Sequence, residues 1–163
     1  MCGIVGVTGS DPALPFLLDG LSRLEYRGYD SSGVALVDHD RVWVRRRAGK
    51  LAELNGAVGD APHAVVGIGH TRWATHGGPT EHNAHPHADC TGALALVHNG
   101  NLVNAMEIRD RLELEGSIFQ TTSDTEVILH LMARNPRADV VESLLLALEQ
   151  VRGAYSILLL SDQ

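Results

Sequence analysis

Leucines at positions 14, 17, 18, 21 and 24 set a helical period early in the chain, directly after Asp11-Pro12. An acidic N-cap with proline at the first helical position starts helices well, so a helix is predicted over 12–25 with its leucine stripe facing a core. The period then changes. Residues 33–37 and 42–44 are β-branched runs joined by Asp38-His39-Asp40-Arg41, which predicts a hairpin. Residues 64–69 and 93–97 are short, continuously apolar and bounded by glycine, as expected of strands buried on both faces, with a long polar loop over 71–91 between them. Residues 1–6 read as a short apolar strand. In the second half, Asn104 with Glu107 forms a capping-box pattern for a helix reaching about residue 115, where Gly116 stops it. Ser123 with Glu126 repeats the device ahead of Val127, Ile128, Leu131 and Met132. A third helix carries Val141, Leu144, Leu145, Leu148 and Val151, and a strand over 154–160 follows. Strands at both ends with helices between them predict a layered fold of stacked sheets covered by helices.

Composition narrows the function. At 163 residues the chain suits one domain with a sizeable core. Its formal charge of −7 argues against a nucleic-acid footprint. The basic run Arg45-Arg46-Arg47 follows a hairpin strand and reads as a solvated edge. No apolar stretch is long enough to span a bilayer and the first residues lack a signal-peptide pattern, so the expectation is a cytoplasmic protein that binds no membrane. In that reducing setting Cys2 and Cys90 are expected as separate thiols rather than a bridge.

Cys2 changes the picture most. Removing Met1 would place a thiol and a free α-amine on one residue, and an amine of pKa about 7.7–8.0 can take the thiol proton near neutral pH. By itself Cys2 could be a small buried hydrophobe. Its meaning comes from Arg72 in Gly69-His70-Thr71-Arg72-Trp73-Ala74-Thr75-His76-Gly77, from Asn99-Gly100, and from Asp124 in Ser123-Asp124-Thr125-Glu126. Arg72 suits an α-carboxylate through its planar fork, and Asp124 suits an α-ammonium. The Asn99 amide and the Gly100 N–H could hold an oxyanion, although Asn-Gly is most often a tight turn and on local pattern that reading prevails. The rival is a zinc hydrolase built on His82, His85 and His87 near Asp89 and Cys90, but the spacing fits no standard zinc pattern and Pro86 restricts it.

Several motifs together resemble the class II glutamine amidotransferase domain, a member of the N-terminal-nucleophile hydrolases. They are Met1-Cys2-Gly3-Ile4-Val5-Gly6, Leu24-Glu25-Tyr26-Arg27-Gly28-Tyr29-Asp30, Gly69 through Gly77, His98-Asn99-Gly100-Asn101 and Thr122-Ser123-Asp124-Thr125-Glu126, in family order across the whole chain. Up to about residue 98 the motifs are similar to the fructose-6-phosphate aminotransferase branch. From Asn99 onward they resemble the amidophosphoribosyltransferase branch. The chain is therefore either a hybrid, engineered or not, or a natural amidotransferase mixing both signatures.

The resemblance implies an α+β fold, a four-layer αββα sandwich, with residues 1–163 forming a glutaminase domain that stops short of the family's last strands. It implies Cys2 as nucleophile and Asn99 and Gly100 as the oxyanion hole. Arg72 and Asp124 would hold the two ends of L-glutamine, Trp73, Thr75 and His76 would line the glutamine side, and Arg27 and Gly28 would lie near the nucleophile. No metal or organic cofactor is implied. The partner would be an acceptor domain, either a sugar-phosphate isomerase or a phosphoribosyl domain, and an uncovered strand at the end of the chain would favour homo-oligomers or aggregation. A non-enzymatic alternative is a fragment that binds glutamine without turnover. Retention of Met1 would acylate the Cys2 amine and disable the chemistry.

Overall fold

Alternation along two central strands decides the layering. On β2 (Ser31–Asp38), Val34 and Leu36 face a core shared with Ala13, Leu17 and Leu21 of helix α1 (Ala13–Leu24) and with Leu51 and Leu54 of the short helix α2 (Leu51–Asn55). Ala35, between them, faces the other way, into a core with Ile68, Ala95, Val97 and Leu160. On β6 (Leu94–Leu102), Ala95 and Val97 face that same central core. Leu96 and Leu102 face a third core with residues of α3 (Ala105–Leu114), α4 (Glu126–Arg134) and α5 (Val140–Leu148). Three cores thus separate four layers, helix, sheet, sheet and helix. Each fully buried leucine contributes about 1.5–3 kcal/mol by leaving water.

This computed structural model describes residues 2–74 and 77–162. The first sheet has the order β1-β4-β2-β3, from β1 (Gly3–Thr8), β4 (Val66–Arg72), β2 and β3 (Arg41–Ala48); the second has the order β5-β6-β7, from β5 (His87–Ala88), β6 and β7 (Gly153–Ser161). Every pairing is antiparallel. Among the described residues no helix is long and apolar enough to cross a membrane.

Several local expectations are corrected. The first helix begins at Ala13 with Pro12 in the cap position and no side-chain cap, because proline carries no side-chain acceptor there; the Ala13 N–H is taken instead by the Ala64 carbonyl at 2.7 Å. Neither capping box forms. Asn104 instead bridges to Gln150 and Arg152 ahead of β7, and the Glu126 carboxylate accepts from the Gln120 and Thr121 N–H groups. Val151 lies past the end of α5, which is capped by Asp139. The arginine run lies within β3, where Arg45 pairs with Asp60 and Arg47 with Glu81. Asn99-Gly100 is not a turn: both residues continue β6 and pair with Ser156 and Tyr155 of β7.

Candidate active site

Antiparallel pairing of β1 with β4 sets Gly3 opposite Thr71, and this carries Cys2 to the residues that follow β4. The Cys2 Sγ accepts the Trp73 N–H at 3.4 Å and lies 3.7 Å from the Trp73 carbonyl. Arg72, the last residue of β4, is buried, and its guanidinium donates to the Gly78 and Gly77 carbonyls at 3.1 and 3.4 Å. Burial lowers its pKa, while Cys2, Asp124 and Asp30 act to raise it, so all three act on the charge of Arg72.

The exit from β4 is held by groups on neighbouring segments. The Asp30 N–H donates to the Arg72 carbonyl at 3.0 Å, and its carboxylate accepts the Ala74 N–H at 2.9 Å. Arg27 ends a 3-10 turn (Glu25–Arg27) and is half-buried; Gly28 follows it with its Cα against the Arg72–Trp73 peptide. A Cβ there would stand 2.6 Å from the Arg72 carbonyl carbon and 2.8 Å from the Trp73 nitrogen, so only glycine fits. Trp73 is exposed and stands edge-on to Tyr29, with ring centroids 5.4 Å apart. Thr75 and His76 lie outside the described residues, as does Met1.

From the second sheet come Asn99, half-buried, and Gly100, whose missing Cβ would collide with the Ala154 carbonyl and the Tyr155 Cα. Among the described residues no hydrogen bond joins the Asn99 side chain to Cys2. Asp124 is nearly buried just ahead of α4; its carboxylate accepts the Leu102 N–H at 3.1 Å and lies 4.0 Å from His98 Nδ1. A cavity of about 300 Å³ opens beside it, bordered by Asn101, Val103, Arg109 and Thr122.

Residues that the motif reading passed over tie these parts together. Buried Asn83 donates to the Gly78 carbonyl at 3.1 Å and accepts the Thr122 N–H at 2.9 Å, linking the loop that binds Arg72 to the loop that carries Asp124. Beneath the site His70, His85, His87 and His98 crowd the interior; the His70 and His85 rings stack with centroids 4.2 Å apart and those of His85 and His87 are 4.5 Å apart. Burial pushes His70 and His87 down to about 3 and His85 well below its usual range, so these rings are neutral. His70 and His98, each directly after a short apolar run, were the available signal for part of this cluster. Of the candidate zinc residues, His82 is exposed while His85 and His87 are buried, and among the described residues no three His, Cys, Asp or Glu groups are placed to share a metal ion. Cys2 and Cys90 are both free thiols, Cys90 in an exposed turn.

A family model described as a glutamine amidotransferase domain matches residues 55–161. The glutamine–fructose-6-phosphate aminotransferase (isomerizing) of Symbiobacterium thermophilum is 52% identical over 164 residues, covering all of this chain and 27% of that protein. Its counterpart in Aquifex aeolicus is 51% identical, covering 96% of this chain and 26% of that protein. The chain thus spans about a quarter of the length of these relatives. Among solved structures, the glutamine phosphoribosylpyrophosphate amidotransferase of B. subtilis, complexed with ADP and GMP, superposes with a TM-score of 0.87 at 32% identity, over 99% of this chain and 35% of that one. A structure described as the allosteric regulatory enzyme of purine biosynthesis gives a TM-score of 0.89 at 34% identity, over 99% of this chain and 36% of that one.

Proposed function

Because the chain belongs to the class II glutamine amidotransferase family, whose domain has the N-terminal-nucleophile hydrolase fold, we propose that it carries out a glutaminase half-reaction, converting L-glutamine and water to glutamate and ammonia. The observation that carries this reading is the Cys2 thiol held against the Trp73 N–H, one residue past Arg72 at the end of β4; Asp124, tied to the Leu102 N–H of β6, is the further support. With Met1 removed, the Cys2 α-amine takes the thiol proton and the thiolate attacks the glutamine side-chain carbonyl carbon. The Asn99 amide and the Gly100 N–H donate to the oxygen that becomes negative. The C–N bond then breaks, the amine returns the proton to the leaving nitrogen, and ammonia departs from a γ-glutamyl thioester. Water adds to that thioester, giving a proton to the amine, and glutamate leaves as the thiolate re-forms. Thiol and amine supply nucleophile and base within one residue, so these steps call on no metal or organic cofactor.

In this reading Arg72 holds the α-carboxylate and Asp124 the α-ammonium of glutamine, with Trp73, Thr75 and His76 along the same side. Arg27 and Gly28 support the wall behind Cys2. Residues 1–163 act as the glutaminase unit, and a separate domain of the whole protein receives the ammonia. Fructose 6-phosphate is the favoured acceptor, supported by 52% identity to an aminotransferase of that name along the entire chain, including the part beyond Asn99. A phosphoribosyl acceptor is the second reading, supported by the superposition on the phosphoribosylpyrophosphate amidotransferase. Two free thiols fit a reducing, cytoplasmic setting.

The test is ammonia and glutamate release by the protein after Met1 removal. Glutamine-dependent release that a glutamine-analogue electrophile abolishes is expected. Glutamine binding without release would support a binding role instead.

A further inference from the structure

Thr125 is fully buried, and its hydroxyl oxygen lies 2.8 Å from His85 Nε2 and 2.9 Å from His98 Nδ1. A hydroxyl carries one proton and cannot donate to both nitrogens, so at least one ring must bring an N–H to Oγ1. His70 adds a second tie between His85 and His98, through the His98 backbone carbonyl and the face of the His85 ring. His70 Nε2 lies 3.0 Å from the His98 carbonyl and must donate to it, and the His70 ring stacks on His85. Thr125, His98, His70 and His85 therefore form a closed buried circuit joining β4, the segment before β5, β6 and the start of α4.

Each end of the proposed glutamine site is adjacent in sequence to this circuit. Arg72 follows His70 by two residues, Asn99 follows His98, and Asp124 precedes Thr125. The difference lies in what else holds them. Arg72 and Asn99 sit on strands whose ladders fix their backbones, paired with Ser31 and Ser156. Asp124 sits on an irregular segment with no ladder; its carbonyl accepts the Val127 N–H at 3.4 Å, and side-chain anchors supply its ties to β6. Its own carboxylate makes one such tie, to the Leu102 N–H.

We propose that Thr125 is a positioning residue of the glutaminase site: its hydroxyl, locked between His85 and His98, holds the Asp124 carboxylate where the α-ammonium of glutamine binds. This rests on the glutaminase reading above. Valine at 125 has nearly the same shape but leaves two buried imidazole nitrogens without their shared partner.

The test compares two substrates in the Met1-processed protein: glutamine, and 4-carbamoylbutanoate, which is glutamine without its α-amino group. Thr125→Val should raise the KM for glutamine by about tenfold or more with a smaller change in kcat. Thr125→Ser should restore it. With 4-carbamoylbutanoate, where there is no ammonium for Asp124 to bind, wild type and Thr125→Val should differ little. An unchanged KM for glutamine, failure of Thr125→Ser to rescue, or an equal loss on both substrates overturns the positioning role. A measurement on the wild type covers the case in which Thr125→Val does not fold: nitrogen NMR of the imidazoles should find His70 neutral with its proton on Nε2. A proton on Nδ1 instead breaks the circuit and overturns the proposal. Absence of ammonia release from the wild type overturns the glutaminase reading itself, whereas normal wild-type turnover with an indifferent Thr125→Val overturns only the role of Thr125.

Discussion

Acid should destabilise this protein well before its carboxylates titrate. His70 and His87 are buried neutral with pKa values of about 3, in each case first because burial disfavours the charged ring; for His87, nearby Arg46 adds to the effect. In the unfolded chain each would titrate near about 6.5. The folded pKa is the lower one, so the unfolded state binds more protons below neutrality. The stability these rings contribute is present above about pH 6.5 and is lost as pH falls toward about 3. Lowering pH from about 7 to 5 costs about 2 kcal/mol per ring, or about 4 kcal/mol for the two, against a typical total of about 5–15 kcal/mol. His85, shifted in the same direction, adds to the loss. Glu126 acts in a lower window. Burial alone would raise its pKa, but hydrogen bonds from His130, Gln120 and Thr121 hold it at about 2, so its contribution disappears only between about pH 4.5 and 2. Urea denaturation across this range, with the midpoint and m-value recorded at each pH, reads the effect directly. Near pH 5 the two rings alone give a slope of about 2.7 kcal/mol per pH unit. His87→Gln should reduce that slope by one proton, about 1.4 kcal/mol per unit. A slope below one proton between about pH 6 and 5 would show that the histidines are hydrated or already charged in the folded state, and would refute the argument.

Three further outcomes follow from the site. Cys2→Ala should abolish ammonia release while Cys90→Ala, altering an exposed turn, should largely preserve it; equal loss in both would remove Cys2 from its role. Arg72→Lys keeps the charge but gives up the fork and its hold on the Gly77 and Gly78 carbonyls, so glutamine affinity should fall by about 1.5–3 kcal/mol in a calorimetric titration. Gly28→Ala should displace the Arg72–Trp73 peptide and lower both thermal stability and turnover, and a variant with wild-type melting and kinetics would contradict the close packing described.

The parts of this structure legible in the sequence are those set by local periodicity. The leucine stripe marks α1 within a residue or so, and the β2–β3 hairpin closes through His39 and Asp40 inside the expected turn, with His39 at a φ of 54°. Where the sequence misled, a distant partner decides the outcome. Asn99-Gly100 has the composition of a turn, but β7, more than fifty residues later, pairs with it and keeps the chain extended. Asn104 and Glu126 have capping-box spacing, yet each finds better-placed backbone groups outside its own helix. The residues α2 and β5 contribute are too few to show a period. Cys2, Arg72 and Asp124 were visible as residue types suited to one reaction. The supports beneath them were not, because Asp30, Asn83 and Thr125 act through contacts spanning tens of residues.

Acylation of Cys2 by glutamine is the step on which the proposed reaction turns. Rapid acid quenching of the Met1-processed protein during turnover, followed by mass spectrometry of the intact chain and its N-terminal peptide, tests this directly. One γ-glutamyl group should be found as a thioester on Cys2, absent from Cys2→Ala and from protein that retains Met1. Glutamine turnover with no acyl group on Cys2, or with the group on Cys90, would contradict it.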